Sequence, residues 1–534
     1  MPAHDDPHAS LPPEGALSRL GTARRRLMAA DLLLAIDVGT QSVRALAFDR
    51  GGERLARTQV PLQPAFRAPR PGWAEQDGAA YHTALVAAVQ GLWTQLDPAR
   101  VAALALTTQR GTVLCAQADG TPLRPAIVWP DQRLASAPPP LGLLWSSAFR
   151  LAGARQLLRH LQRQAEANWL AQHEPDLWRR TERFVLLSGW LTQQLTGEWV
   201  DSSACQVGYL PFDYRRQQWA GPRSWHWKAL AIRRSQLGEL RPPGAPLGRL
   251  TDRAAAQLGL PGGLPLIAAA ADKACEVLGC GALDPTTAQL SFGIAATINV
   301  TQPKYVEVER LLPAYPAALP GAFNTEIHVQ RGFWLVSWFQ REFGGDPAQF
   351  EAWLAATPPG AMGLIALPHW SPGLRDPGPE AKGALIGFGD VHGRAHVYRA
   401  LLEGLVMQLR AGRELIERRT GRRLTKLVVA GGGSQSPGAM QIAADVFGLA
   451  AERARWSDAS ALGAAMIGAA GLGWYGSVRE AALAMARPGE RFEPQAANVR
   501  LYDDLYREVF RPLAGRLAPL NRRIRAITGY PAPD

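Results

Sequence analysis

Asp37, Gly39, Thr40, Gln41 and Ser42 stand together in LLLAIDVGTQSVRALAFDRGG (32–52), between two apolar runs. Leu32 to Ile36 predicts a fully buried strand and Val43 to Phe48 a second one, and the Gly-centred link is short enough for a hairpin. Asp37 then falls at a strand end beside a tight turn. Gly39 permits the bend, and Thr40 and Ser42 can aim hydroxyls and backbone N–H groups at one point, as anion sites do. An ordinary hairpin has the same pattern. Asp272 is a second strand-end carboxylate: LPLIAAAADKACEVLGCGAL (264–283) predicts a strand, an acidic corner and a helix starting near Lys273. Such an Asp serves either as a helix cap or as a proton acceptor.

Two glycine features accompany these acids. In AQLSFGIAATINVTQP (288–303) a second strand–turn–strand has Gly293 at its bend, followed by Ile294 and Ala295. In KLVVAGGGSQSPGAMQIAADVFGLA (426–450), Gly431, Gly432 and Gly433, then Ser434 and Gln435, separate a buried strand from a helix beginning near Ala439. Consecutive glycines let the backbone lie flat against a ligand, and the helix N-terminus offers free N–H groups. No Gly-Lys-Ser/Thr follows, so this is not a Walker A loop, and the dinucleotide fingerprint is absent.

The elements that must position these groups are legible in outline. Residues 101–133 predict one buried strand, a polar loop from Thr107 to Thr112, a second strand, a turn at Asp119-Gly120 and a third short strand. From about 134 to 250 the chain is irregular and rich in Pro, Trp and Arg, with helical pieces at 155–172 and 183–196, as in an insertion on a sheet domain. A long amphipathic helix spans 394–419 and a small-residue helix 459–473. Two halves that each open with a Gly-centred hairpin suggest a duplicated fold.

Composition narrows the function classes. At 534 residues and 47% hydrophobic, the chain supports at least two cored domains, and no apolar run is long enough to cross a bilayer. The net charge of +12 is scattered, and Arg outnumbers Lys about tenfold, a compositional habit and not a nucleic-acid patch. Cys115, Cys205, Cys275 and Cys280 lack metal-type spacing and fit a reducing cytoplasm. Residues 1–30, polar and ending near Arg24-Arg25-Arg26, read as a disordered leader, with Met28 a candidate start.

Taken in order, the Asp-x-Gly-Thr hairpin, the strand-end Asp, the second Gly hairpin and the triple glycine resemble the FGGY carbohydrate kinase family, within the actin-like ATPase superfamily. PGWAEQD (71–77), QRGT (109–112), AIVWPDQR (126–133), LLEG (401–404) and ALGAA (461–465) stand in the family's order, and the likeness covers residues 31–515. It implies an α/β fold of two ribonuclease-H-like domains with a cleft between them: an N-terminal domain at 31–283 on the substrate side, a C-terminal domain at 284–520 on the nucleotide side, and a tail at 521–534. It implies ATP-dependent phosphorylation of a hydroxyl on a small sugar or polyol, with Mg²⁺, and no nucleic-acid or membrane partner. A homodimer is among the assemblies left open. Asp37 resembles the family's metal carboxylate, Gly39, Thr40 and Gln41 would border the transferring phosphoryl group, and Asp272 resembles the catalytic base. Gly293 and Ile294 would lie along the nucleotide phosphates, Gly431, Gly432 and Gln435 beside the adenosine, and Arg110, Trp129, Asp131 and Arg133 in the substrate pocket, though Trp129 could equally be core.

Two departures qualify the resemblance. Glycerol kinases carry Gln-Arg-Glu-Thr where this chain has Gln109-Arg110-Gly111-Thr112, so an acceptor for a polyol hydroxyl is missing and a substrate of about four to six carbons, other than glycerol, is expected. The second hairpin has Ile294 where a hydroxyl is usual. The rival reading is a nucleotide-binding regulatory or scaffold protein that kept the fold and lost transfer.

Overall fold

A computed structural model describes residues 30–309, 312–373 and 377–531, so the expected leader lies outside the described residues except for Ala30. Strands β1 (Leu32–Val38), β2 (Ser42–Phe48), β3 (Arg54–Pro61), β4 (Val101–Thr108), β5 (Pro246–Arg249) and β6 (Pro265–Ala268) form a six-stranded sheet in the order β5-β6-β4-β1-β2-β3. β1 runs antiparallel to β2 and parallel to β4, which is parallel to β6. Every residue of β1 and β4 is buried, as befits central strands covered on both faces. Helix α1 (Gly78–Gln90), capped by the Asp77 carboxylate on the Ala79 N–H, covers one face with Tyr81, Leu85 and Ala88.

The second sheet repeats the plan. Strands β7 (Thr287–Phe292), β8 (Ala296–Gln302), β9 (Tyr315–Pro316), β10 (Phe323–Val329), β11 (Lys426–Ala430), β12 (Ala451–Ala454) and β13 (Pro488–Phe492) lie in the order β9-β10-β8-β7-β11-β12-β13. In both sheets three antiparallel strands continue into two parallel ones, β3-β2-β1-β4-β6 in the first and β10-β8-β7-β11-β12 in the second. This is the duplicated ribonuclease-H-like arrangement. The parallel steps are made by crossovers, and helices cover the faces.

Helix α2 (Asp272–Gly279) leaves the first sheet, α3 (Arg394–Thr420) and α4 (Pro437–Phe447) pack on the second, and α5 (Ala459–Gly471) and α6 (Val478–Met485) turn back. Ala461, Ala464, Ala465, Met466 and Ala482 share a core with Leu33, Ala35, Ala103 and Ala105 of the first sheet. The boundary expected at 283/284 is therefore crossed: residues 459–485 belong by packing to the first sheet. Likewise the segment expected as a tail begins inside the helix Arg511–Thr528.

The region 134–250 is more ordered than its composition suggests. Residues 183–186 form a strand that pairs with Val113–Ala116, and the helix begins only at Leu187. Phe184 and Val185 are buried against the core, so tertiary pairing overrides the helical reading. Helices also occupy Gly142–Leu151 and Pro175–Arg180. The helix after the glycines starts at Pro437, two residues before the sequence reading, with Ser436 as its cap.

Helices α2 and α5 cross at two glycines. A Cβ on Gly463 would lie 1.9 Å from the Cys275 carbonyl oxygen, and one on Gly279 would lie 2.0 Å from that of Ala459. Only bare backbone fits at that separation. Gly463→Ala should thus force the helices apart and destabilise the protein by about 1–3 kcal/mol, read as a lowered urea midpoint; an unchanged midpoint would mean that the crossing is slack.

Candidate active site

Asp37 is the penultimate residue of β1, opposite Arg44 on β2, whose Nη1 lies 2.9 Å from Asp37 Oδ2. Arg44 Nε lies 3.9 Å from Asp458, which also accepts from Arg54 Nη1 and Arg57 Nε, each at 2.9 Å. A chain of charges thus runs from Asp37 to the start of α5. Burial pushes the Asp37 carboxyl up to about 6; Arg44 opposes this, and the charges of Asp272 and Asp458 reinforce it. The two acids singled out in the sequence therefore lie near enough to feel each other.

Asp272 opens α2. The cap position is Ala271, so Asp272 is not the cap, and its Oδ1 accepts the N–H of Lys273 at 2.7 Å. Burial raises its pKa, while Arg110 and Lys273 pull it down. The sequence reading passed over Lys273. Its Nζ lies 2.6 Å from Glu276 Oε2 and donates to Ser291 Oγ on β7 at 2.8 Å, and Glu276 also accepts from Gln289. These bonds join α2 to the hairpin that carries Gly293.

In the turn after β1, Thr40 Oγ1 donates to Gln109 Oε1 and accepts from Trp129 Nε1 at 2.8 Å. Trp129 is 51% exposed, which excludes the core alternative. Gly39 closes its turn on the Ser42 carbonyl, and Gln41 is exposed. Arg110 reaches across to Glu326 on β10. Gly111 has φ +64, in the left-handed region, where a side chain is strained.

Asp131 and Arg133 differ from the pocket-lining role expected of them: their side chains are 4% and 2% exposed. Asp131 accepts from the N–H of Ala74 and from Arg133, Arg133 also reaches Glu75, and its guanidinium lies between the rings of Trp73 and Trp169 at 4.0 and 4.7 Å. Here PGWAEQD and VWPDQR bond to one another. The pair holds up the loop that presents Trp129, and neither side chain is open to a ligand.

The second sheet contributes two loops. The carbonyls of Gly293 and Ile294 accept from the N–H groups of Phe333 and Trp334 at 2.9 and 3.2 Å, and Ile294 is 55% exposed. Gly431 sits on the backbone of Phe292, next to Gly293, so the hairpin and the triple glycine form one surface. Gly432 and Gln435 are exposed there, and Ser434 folds its hydroxyl back onto the Gly431 carbonyl at 2.7 Å. Arg44, Lys273, Glu326 and Asp458 are the site groups that sequence reasoning missed. The alternating polar residues Asn324, Glu326 and His328 in β10 were the one signal that could have flagged Glu326.

The Asp37 geometry has a pH consequence. An acid whose folded pKa of about 6 exceeds its ordinary value of 3.8 binds more protons when folded, so stability falls as pH rises between those values, by roughly 3 kcal/mol in all. In nucleotide-free protein, the urea stability of Asp37→Asn relative to wild type should therefore improve as pH rises from about 4 to about 6 and level off above. A pH-independent difference would show that folding leaves the Asp37 pKa at its ordinary value.

Known proteins resemble this chain over about nine-tenths of its length, 91% and 92% for two of them. Residues 32–279 match the N-terminal domain of the FGGY family of carbohydrate kinases and residues 295–472 its C-terminal domain. An uncharacterized sugar kinase of Escherichia coli, YgcE, is 29% identical over 91% of this chain and 94% of its own length. The xylulose kinase of Lactococcus lactis is 26% identical over 89% and 95%. The crystal structure of xylulose kinase from Rhodospirillum rubrum superposes with a TM-score of 0.77 at 26% identity, covering 92% of this chain and all of that one.

Proposed function

The chain belongs to the FGGY family of carbohydrate kinases, and from that premise we propose that it transfers the γ-phosphoryl group of ATP to a hydroxyl of a small sugar or polyol of about four to six carbons, other than glycerol, in the cytoplasm. Xylulose kinases among the relatives support a sugar of that size. The single observation that carries the reading is the pair Asp37 and Asp272, two buried carboxylates close enough for their charges to act on each other. Asp37 stands at the end of β1 opposite Arg44, three residues before Thr40, and the charges of Arg110 and Lys273 act on Asp272.

In this reading Asp272 accepts the proton of the sugar hydroxyl as its oxygen bonds to the γ-phosphorus, the bond to the β,γ-bridging oxygen breaks, and ADP leaves. A pKa raised by burial makes the carboxylate a better acceptor than a solvent-exposed one, while the charges of Arg110 and Lys273 favour its ionised form. The exposed Trp129 ring offers an apolar face to the sugar, the loop at Gly293 and Ile294 would lie along the phosphates, and Gly431, Gly432 and Gln435 would lie beside the adenosine. Mg²⁺ fits this site. Asp37 takes one side-chain bond, from Arg44 to Oδ2, and the crowding of Asp37, Asp272 and Asp458 is what a divalent cation relieves. Among the described residues no group of three or more His, Cys, Asp or Glu could cage an ion. Asp37 would hold it with water and nucleotide phosphates as the remaining ligands, and the ion would offset phosphate charge.

The free thiols of Cys115, Cys205, Cys275 and Cys280 support the cytoplasmic placement, and among the described residues no helix is long and apolar enough to cross a membrane.

ADP release over a panel of polyols, aldoses and ketoses tests the reading: one sugar of four to six carbons should stimulate release above water and above glycerol, and no stimulation by any would overturn it. Asp272→Asn should lower turnover by about 10² or more while ATP affinity stays within a few fold; near-normal turnover would remove Asp272 from the chemistry. Because its loop is pinned by the start of the helix Trp334–Phe343, Ile294→Thr should lower the KM for ATP only about two- to tenfold, with kcat unchanged. A large gain in kcat would mean that Ile294 misplaces the loop.

A further inference from the structure

Resting on the kinase reading, the strongest additional signal is an ion pair across the cleft. Arg110 follows β4 in the first half of the chain, and Glu326 lies on β10 in the second. Nη1 and Nη2 of Arg110 stand 3.3 and 3.0 Å from the two carboxylate oxygens of Glu326, a bidentate pair, with the side chains 22% and 8% exposed. The guanidinium lies 5.3 Å from the Tyr315 ring centroid. Its charge also acts on Asp272, ahead of that of Lys273, which on the kinase reading places the pair near the reacting hydroxyl.

The charges around this point are matched one to one. Arg110 is neutralised by Glu326, and Lys273, the other cation that acts on Asp272, is neutralised by Glu276 at 2.6 Å. His328, two residues along the same strand, is exposed, and desolvation with the charges of Arg110 and Lys273 lowers its pKa against the pull of Glu326. Gly111, next to Arg110, has no side chain and supplies no acceptor. Each Glu326 oxygen, bonded once by Arg110, retains acceptor capacity for a hydroxyl.

We propose that Glu326 determines sugar specificity: from the second half of the chain it accepts hydrogen bonds from sugar hydroxyls and neutralises Arg110, so that the site selects an uncharged sugar or polyol over the aldonate of the same length. An aldonate would bring its carboxylate towards Glu326 and Asp272 with no unpaired cation to receive it, and like charges in such a site are a strong element of rejection.

The test is kcat/KM, by ADP release, for ketoses and polyols against aldonates of equal carbon number, in wild type and in Glu326→Gln. Wild type should prefer the neutral sugar by about 10²-fold or more. Glu326→Gln should raise the KM of the neutral sugar by about tenfold, leave the KM for ATP within about twofold, and improve the aldonate by freeing Arg110. A role confined to structure would lower both sugars together. Equal or better use of aldonates by wild type, or a parallel loss of both substrates in the variant, overturns the inference and leaves the kinase reading standing. ADP release with no sugar of either kind overturns both. Should Glu326→Gln fail to fold, Glu326→Asp decides: it keeps the charge at shorter reach, and must raise the KM for sugar while retaining the preference for neutral substrates.

Discussion

The close crossing of α2 and α5 is the constraint on which the rest of the site depends. Gly279 and Gly463 let two backbones touch where any side chain would intervene, and the two sheets are joined through those helices. Each helix begins beside a carboxylate of the cleft, Asp272 at the first residue of α2 and Asp458 just before α5. The spacing of the crossing therefore sets where both carboxylates lie. A shift of about 1 Å would be felt at the reacting atoms, where alignment carries much of the rate.

Around this crossing the protein keeps several charges out of water, and each is matched differently. Asp37 is balanced incompletely by Arg44 and remains raised, whereas Asp458 is surrounded by Arg44, Arg54 and Arg57. Buried ion networks are weak sources of net stability, because desolvation consumes most of the Coulomb gain. Their effect here is geometric: Arg133 with Asp131 and Glu75, and Lys273 with Glu276 and Ser291, hold loops and helices in one arrangement. The imbalance at Asp37 has the opposite sense, a charge kept unsatisfied where a ligand can satisfy it.

The elements legible in the sequence were those made by neighbours in the chain. The hairpins at Gly39 and Gly293, the strand before Asp272 and the helix at 394–420 announce themselves through apolar runs and periodicity, and each closes on itself. What could not be read was made by distance. Arg110 and Glu326 are 216 positions apart, and nothing local in QRGT points to a strand of the other half. Asp131 and Arg133 carried the family pattern, yet their partners, Glu75 and the backbone of Ala74, show that the pattern encodes a loop support. Strand 183–186 was masked because its β pairing with residues 113–116 is non-local.

The return of residues 459–485 to the first sheet bears on how the chain matures. One face of that sheet, including Leu33, Ala35, Ala103 and Ala105, is covered by α5 and α6, which leave the ribosome more than three hundred residues after β4. During synthesis that apolar face waits while every strand of the second sheet but the last is made. The amino-terminal half is thus not a self-sufficient folding unit, and nascent chains of this protein carry a sticky, half-finished surface of the kind chaperones shield, until the last third of the second half emerges to close it.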